Sequence, residues 1–157
     1  MEAVNNFIFL RCKNDEEKFL NEFLKDIRKE EYEEILAITN DIYKELNESI
    51  KNSTIAIKVL SKDNKPLCIY GTKKIKGIEG NLIWCVGTNE IMKYKKSFVK
   101  ISKHILEKWK KQYGILYNCI SVENKKTFIW LKMLGAEFSE PFLVANNKYF
   151  RRFILKG

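Results

Sequence analysis

The sequence predicts a mixed α/β fold organised around two parallel β-strands. Residues 82–87 and residues 115–122 each have the length and apolar composition of a buried strand. A basic stretch with helical periodicity, residues 91–113, joins them and ends before Gly114. A strand–helix–strand crossover of this kind is right-handed and leaves its two strands parallel. We therefore expect a central parallel pair in a mixed sheet that is flanked by helices.

Ahead of this crossover, hydrophobic periodicity predicts a strand followed by helices. Residues 4–12 alternate as a strand, and apolar residues recur at helical spacing between residues 19 and 50. The helical region should break at Asn40 and Asp41, because Asn and Asp favour caps over helix interiors. Two acidic pairs in this region, Glu30-Glu31 and Glu33-Glu34, are interpreted as solvent-exposed helix faces.

The rest of the chain alternates between regular elements and tight turns. Residues 63–65 form the turn of a predicted hairpin, and residues 76–81 lead into the central strand. After the crossover, a helix should begin at Asn124 and stop at Gly135. The other predicted strands are residues 54–60, 66–71, 137–144 and 149–155, with a turn at Asn146 and Asn147. No linker or repeat interrupts the sequence, so residues 1–157 are expected to form one domain.

Residues 122–136 resemble the end of a GNAT N-acetyltransferase domain. In that family a strand ends in Asn, a helix follows, and a Leu-Gly corner leads to the last hairpin; here these are Asn124 and Leu134-Gly135. The predicted order is strand, two helices, three strands, helix, strand, helix and two strands, which is also similar to the GNAT order. The resemblance implies an α/β (α+β) fold whose central parallel strands splay apart.

A narrower resemblance points to proteins of tailed phages. The sequence is similar to the GNAT-like phage group that includes the internal virion protein A type. The matching segments are residues 84–89, residues 97–98 with the lysines before them, residues 129–135 and residues 149–153. The resemblance covers roughly the second half of the chain. It implies a component of the phage particle or of its assembly.

In GNAT enzymes, acyl-CoA lies where the parallel strands splay. The resemblance assigns its pantetheine arm to the backbone of Trp84, Cys85, Val86 and Gly87, and its pyrophosphate to the N–H groups that open the next helix. A helix N-terminus favours phosphate because its first N–H groups are unpaired. The family has an Arg or Gln followed by two glycines at this turn, whereas no glycine directly follows Gly87 here.

Lysines take the place of that glycine-rich loop. Lys93, Lys95 and Lys96 could bring positive charge to a phosphate, but as flexible point charges. The other interpretation, a solvated helix start without a ligand, remains open and is favoured. Acetyl-CoA is therefore expected as a cofactor only if the protein is active, and its binding is predicted to be weak or absent.

The catalytic residues of a GNAT enzyme are also incomplete. Many members place a Tyr on the helix after the Asn to protonate the leaving thiolate, and counting from Asn124 puts Leu131 at that position. The available candidates are Tyr117 or Tyr113 for the acid and Glu123 or Glu90 for the base. Asn124 itself is explained equally well as the cap of its helix.

Charge is distributed unevenly along this chain of net charge +9. Residues 1–57 contain 8 basic and 13 acidic side chains, whereas residues 58–157 contain 21 and 7. A basic half can attract phosphates, nucleic acid or an acidic partner. Because nearly all of the basic residues are lysines, a coding bias explains the asymmetry at least as well. The long helix lacks arginines and interleaved aromatics, so nucleic acid is predicted to be at most a minor partner.

The cysteines and the single histidine argue against a metal site. Cys12, Cys68, Cys85 and Cys119 each lie alone in a strand-like run, and the sequence has no Cys-x-x-Cys. They are interpreted as buried, reduced thiols. No apolar run reaches the length that is needed to span a bilayer.

Two functional hypotheses follow from the resemblance. The favoured one is a non-catalytic phage virion or virion-assembly protein with a degenerate GNAT fold. Such a protein is expected in several copies, in a ring or collar that contacts portal or tail proteins, in the virion or in the host cytoplasm during infection. The alternative is an acyl-CoA-dependent N-acyltransferase that modifies a host protein or a small amine. Fold alone does not decide between them.

Overall fold

The structure is a computed structural model that describes residues 7–144 and 147–157. The strands in these residues are β1 (Phe7–Arg11), β2 (Ile55–Ser61), β3 (Pro66–Lys73), β4 (Asn81–Gly87), β5 (Leu116–Ser121), β6 (Glu137–Phe138), β7 (Phe142–Val144) and β8 (Lys148–Leu155). The α-helices are α1 (Glu17–Lys25), α2 (Lys29–Leu36), α3 (Ile42–Asn52), α4 (Lys95–Tyr113) and α5 (Lys125–Met133). A 3-10 helix (Asn89–Tyr94) leads into α4.

The strands form one mixed sheet with the order β1-β2-β3-β4-β5-β8-β6, and β7 also pairs with β8. Only β4 and β5 are parallel among these pairs. They pair at their amino-terminal ends alone, through Asn81 with Leu116 and Leu82 with Tyr117. Beyond these pairs the two strands diverge. The predicted parallel pair and its splay are therefore confirmed.

Helices cover both faces of the sheet because successive strand residues point to opposite sides. Val86 of β4 packs with Phe23 of α1 and Leu46 of α3 in one apolar cluster. Ile83 of the same strand packs with Trp109 of α4 in a second cluster, which also includes α5. The core is thus divided by the sheet into two layers that meet at the splay.

Polar caps set the ends of two helices as the sequence predicts. Asp41 Oδ1 accepts a hydrogen bond from Lys44 N–H at 3.0 Å, which begins α3 at the predicted break. Asn124 Oδ1 accepts from Thr127 N–H at 3.4 Å and caps α5. The predicted turn at residues 63–65 is also present, with Asn64 at a positive φ of 66°.

Several predicted boundaries need correction. Three helices, not two, precede β2, because α1 and α2 are separate elements. The helix that was predicted to begin near residue 91 begins as a 3-10 helix and becomes α-helical at Lys95. The single strand predicted over residues 137–144 is two short strands, β6 and β7, with Pro141, which has no N–H to donate, between them. Residues 4–6 of the first predicted strand and Asn146 of the last predicted turn lie outside the described residues.

Candidate functional site

The splay between β4 and β5 opens into a cavity of about 640 Å³. Its lining is mainly apolar and comes from both strands and from helices on both faces of the sheet. The polar groups among the lining residues include Arg28, Glu31, Glu34, Asn118 and Asn124. An apolar pocket with a few convergent polar groups is the usual form of a ligand site.

Two carboxylates of α2 lie across the open end of the splay. Gly87 N–H, at the end of β4, donates to Glu31 Oε1 at 3.3 Å. Ser121 N–H, at the end of β5, donates to Glu34 Oε2 at 2.7 Å. Arg28 Nη1 donates to Glu31 Oε1 at 3.1 Å, and the Arg28 N–H donates to Gly87 O at 3.1 Å. These bonds attach α2 to both diverging strands.

The prediction that the acidic pairs of α2 face solvent is wrong for Glu31, which is only 8% exposed. Glu34 is half-buried. Residues three apart share one side of a helix, so α2 presents both carboxylates to the splay. The splay leaves strand N–H groups without a ladder partner, and buried N–H groups need an acceptor. Glu31 and Glu34 supply those acceptors.

Burial changes the acidity of both carboxylates. It raises the pKa of Glu31 to about 7, although Arg28 acts in the opposite direction. Burial also raises the pKa of Glu34, against the effects of the Ser121 N–H and the Asn124 amide. The splay therefore contains two carboxyl groups that hold their protons more strongly than ordinary glutamates.

These shifts predict that stability falls as pH rises from about 4.5 to about 7. The pKa of Glu31 in the folded protein is raised above the ordinary 4.5. Glu31 therefore binds more protons in the folded than in the unfolded protein over this range. The free energy of unfolding should decrease by about 1–3 kcal/mol as a result. Urea denaturation at a series of pH values measures the slope, and Glu31→Gln should flatten it. Stability that rises over this range would contradict the assignment, and so would a slope that Glu31→Gln leaves unchanged.

Two buried N–H donors at the cavity lack a hydrogen-bond partner among the described residues, Asn124 Nδ2 and Trp130 Nε1. Asn124 is only 2% exposed. Its amide is near enough to Glu34 to lower the pKa of that carboxyl group, yet Nδ2 forms no well-directed hydrogen bond. A buried donor without an acceptor costs about 1–3 kcal/mol. Both nitrogen atoms are themselves buried, so these two donors are unsatisfied inside the fold rather than presented to the open part of the cavity.

The four β4 residues that the resemblance assigns to pantetheine, Trp84, Cys85, Val86 and Gly87, all line the cavity. Trp84 lies over Gly71, where a Cβ atom would be 2.8 Å from the Trp84 Nε1. Two positions on the splayed edge of β4 are engaged within the chain, since Gly87 bonds to α2 and Ile83 O accepts from Asn118 Nδ2 at 2.6 Å. These bonds use part of the edge to which the resemblance assigns a pantetheine arm.

The start of the 3-10 helix that leads into α4 is bonded to Asp26. Asn89 N–H donates to Asp26 O at 2.9 Å, and Glu90 N–H donates to Asp26 Oδ2 at 3.1 Å. The Asp26 carboxylate therefore lies at the first turn after β4, whereas α4 itself begins at Lys95 without a side-chain cap. An anion at this turn disfavours a phosphate beside it through charge repulsion.

The three lysines proposed for phosphate binding lie in different surroundings. Lys93 Nζ pairs with Glu90 at 3.2 Å. Lys95 is exposed and lines the cavity. Lys96 is exposed on α4 and is not a lining residue. The structure therefore brings only Lys95 to the site.

The catalytic candidates are also separated. The Tyr117 hydroxyl is buried without a hydrogen-bond partner in the described residues, and burial raises its pKa, but Tyr117 does not line the cavity. Glu123 is exposed and pairs with Lys148 at 3.1 Å. Asn124 is the candidate that lines the cavity, beside Glu34. Sequence reasoning missed Glu31 and Glu34, although their spacing of three residues was visible.

The cysteine interpretation holds in part. Cys68 is buried and Cys12 is half-buried, but Cys85 and Cys119 are exposed, which corrects the prediction of four buried thiols. Both exposed cysteines line the cavity, because the strands that carry them diverge. Among the described residues, no three His, Cys, Asp or Glu side chains are grouped so that they could hold a metal ion. None of the described helices has the length and apolarity that a membrane crossing needs.

Comparison with known proteins gives one family and one fold. The sequence model of the family described as "Bacteriophage T7, probable scaffold protein Gp13" matches residues 57–143, more than half of the chain. No curated protein matches the sequence. The spermidine N-acetyltransferase from Vibrio cholerae in complex with CoA and spermine is 12% identical, with a TM-score of 0.70 over 97% of this chain and 96% of that one. The GNAT-family acetyltransferase from Bacillus anthracis is 10% identical, with a TM-score of 0.69 over 96% and 95%. These similarities confirm the predicted GNAT fold.

Proposed function

Because the chain belongs to the family of the bacteriophage T7 probable scaffold protein Gp13, we propose that it is a non-catalytic virion-assembly protein with a degenerate GNAT fold. The observation that carries this proposal is the occupation of the acyl-CoA path by the protein's own side chains. Asp26 holds the N–H groups at the helix start, and Glu31 holds the N–H group of Gly87. The fold is retained while the contacts that would bind the cofactor are used internally.

The finer proposal is a protein of the internal virion protein A type, formed by residues 1–157 as one domain. It would act in several copies, in a ring or collar near the portal or tail, inside the virion or in the infected host cytoplasm. Charge supports contacts between copies, because the first 57 residues are acidic and the rest are basic.

A protein contact also needs apolar area at its centre. Of the last-strand residues, Phe150, Phe153 and Leu155 are buried and belong to the core, whereas Tyr149 is 49% exposed. Its cross-strand neighbour Leu143 is 57% exposed. This exposed pair on β7 and β8 is the apolar contact that we propose for a virion partner.

Mass spectrometry of purified particles tests the assembly function. Peptides of this chain should appear with portal and tail proteins, either in mature virions or in assembly intermediates purified before DNA packaging. Both stages are sampled because a scaffold protein that leaves the particle would be missed in mature virions alone. If portal and tail proteins are detected and this chain is absent at both stages, the proposed function is wrong.

One set of observations favours the second candidate, an acyl-CoA-dependent N-acyltransferase acting on a host protein or a small amine. The residues that line the cavity include Glu31, whose pKa of about 7 suits a general base at neutral pH. If acyl-CoA binds, Trp84 to Gly87, the three lysines 93, 95 and 96 and Asn124 are its proposed contacts. Turnover of acetyl-CoA with a panel of amines, lost in Glu31→Gln but kept in the exposed control Glu33→Gln, would establish this function instead.

A further inference from the structure

The solvent face of α4 carries a straight row of lysines, which we call the lysine stripe. Its members, Lys96, Lys100, Lys103 and Lys111, recur at i, i+4, i+7 and i+15, so they lie along one line of the helix surface. All four are exposed, and none forms an ion pair with a carboxylate of the described residues. The 19 residues of α4 give the stripe a length of at most about 28 Å.

The positive charge of the stripe is not balanced within the helix. Glu107 is the acidic residue on the same line, and it already pairs with Lys110 at 2.8 Å. The hydrogen bond from Lys110 lowers the pKa of Glu107, and Lys103 and Lys111 add to this effect. Like charges one turn apart oppose helix formation. The described residues provide no carboxylate that pairs with any of the four charges, so they remain free for an anion outside the chain.

The sequence alone predicts nucleic acid as at most a minor partner, but from the unpaired row of lysines we propose that the lysine stripe binds the phosphate backbone of double-stranded nucleic acid without sequence preference. Lysines that face solvent in a row match a line of phosphates, and phosphate contacts position a protein without reading bases. Helix α4 contains no arginine, the residue that most often reads guanine, so sequence recognition is not expected from this surface.

An acidic protein fits this surface less well than a duplex does. Stable protein interfaces have an apolar centre and are depleted in lysine, whereas no exposed large apolar side chain of the described residues lies on α4. The same absence of exposed aromatics disfavours single-stranded nucleic acid, whose bases stack on aromatic side chains. No residue of the stripe lines the splay cavity, so the inference is independent of the proposed function.

Fluorescence anisotropy with a labelled random-sequence duplex tests the proposal across a salt series. The stripe variant changes the four lysines to glutamine. Each lost phosphate contact should reduce the slope of log affinity against log salt concentration by about 0.9. The affinity for the duplex at low salt should also fall by about tenfold or more. The matched control changes four exposed lysines of the acidic region to glutamine, namely Lys13, Lys18, Lys44 and Lys51. It removes the same charge and should keep both the slope and the affinity.

A third variant with arginine at the four stripe positions retains the charge and should still bind, which separates loss of contacts from loss of folding. Three results would overturn the proposal. One is an absence of wild-type binding at about 50 mM salt, where phosphate contacts are strong. The second is an equal loss of affinity in the stripe variant and the matched control. The third is that the protein binds polyglutamate more tightly than the duplex and that the stripe variant loses this binding. That result would identify an acidic protein as the partner.

Discussion

Replacing Glu31 by alanine is expected to lower the free energy of unfolding by about 3–5 kcal/mol, because it leaves the buried Arg28 guanidinium without its closest partner. The Gly87 N–H would lose its acceptor in the same step. Urea denaturation at neutral pH measures the loss.

Glu30→Ala is the control for this substitution. Glu30 also pairs with Arg28, at 3.4 Å, but its side chain is 36% exposed. An exposed pair contributes about 1 kcal/mol or less, so Glu30→Ala should have a small effect. The double variant Arg28→Met with Glu31→Leu should recover much of the lost stability, because it removes both charges together. Equal effects of Glu30→Ala and Glu31→Ala would contradict the role assigned to Glu31.

The second large effect is expected at the turn that begins the parallel pair. Gly80 has a φ of +85°, and a Cβ atom there would lie 2.1 Å from Ile115 O, the acceptor of the Asn81 N–H. Gly80→Ala must therefore either break this contact or move β4 away from β5. Strain in φ and overpacking together should cost about 3 kcal/mol or more.

Gly77→Ala in the same turn is the matched control. Gly77 has a φ of +84°, but nothing lies within 4 Å of the position that its Cβ would take. Gly77→Ala should lower the free energy of unfolding only by the cost of a positive φ, about 1 kcal/mol. Thermal unfolding of both variants separates the cost of a positive φ from the cost of the contact with Ile115 O. Equal losses would show that the contact with Ile115 does not hold the parallel pair in place.

Local patterns were sufficient to predict the central crossover. The apolar runs on either side of α4 identify β4 and β5, and Asp41 and Asn124 identify the helix starts that they cap. The resemblance to GNAT domains supplied the splay, which periodicity does not contain. Those features depend on near neighbours or on a known fold, so one sequence reveals them.

The chemistry of the site depends on contacts between distant parts of the chain. Glu31 meets Gly87 across 56 residues, and Glu34 meets Ser121 across 87. A helical pattern shows that two glutamates share a side of α2, but not that this side crosses a splay. For the same reason an acidic stretch was interpreted as exposed, and Cys85 and Cys119 were expected to be buried.

Asp26 illustrates the same limit at the helix start. The structure places its carboxylate on the Asn89 side-chain amide and on the Glu90 N–H, 63 and 64 residues further on. The absence of glycines in the loop after Gly87 predicted weak cofactor binding. The structure adds a physical cause, since the Glu90 N–H already has an anionic partner and the Asn89 N–H is bonded to the Asp26 carbonyl oxygen.

Calorimetric titration with acetyl-CoA at moderate salt is the most direct test that this GNAT fold has lost its cofactor site. The spermidine N-acetyltransferase from Vibrio cholerae, whose structure contains CoA, serves as a positive control under the same conditions. With Asp26 and Glu31 bonded to the backbone groups of the site, we expect no binding, or a dissociation constant above about 1 mM. A dissociation constant in the range of about 1–10 μM would contradict the loss of the site.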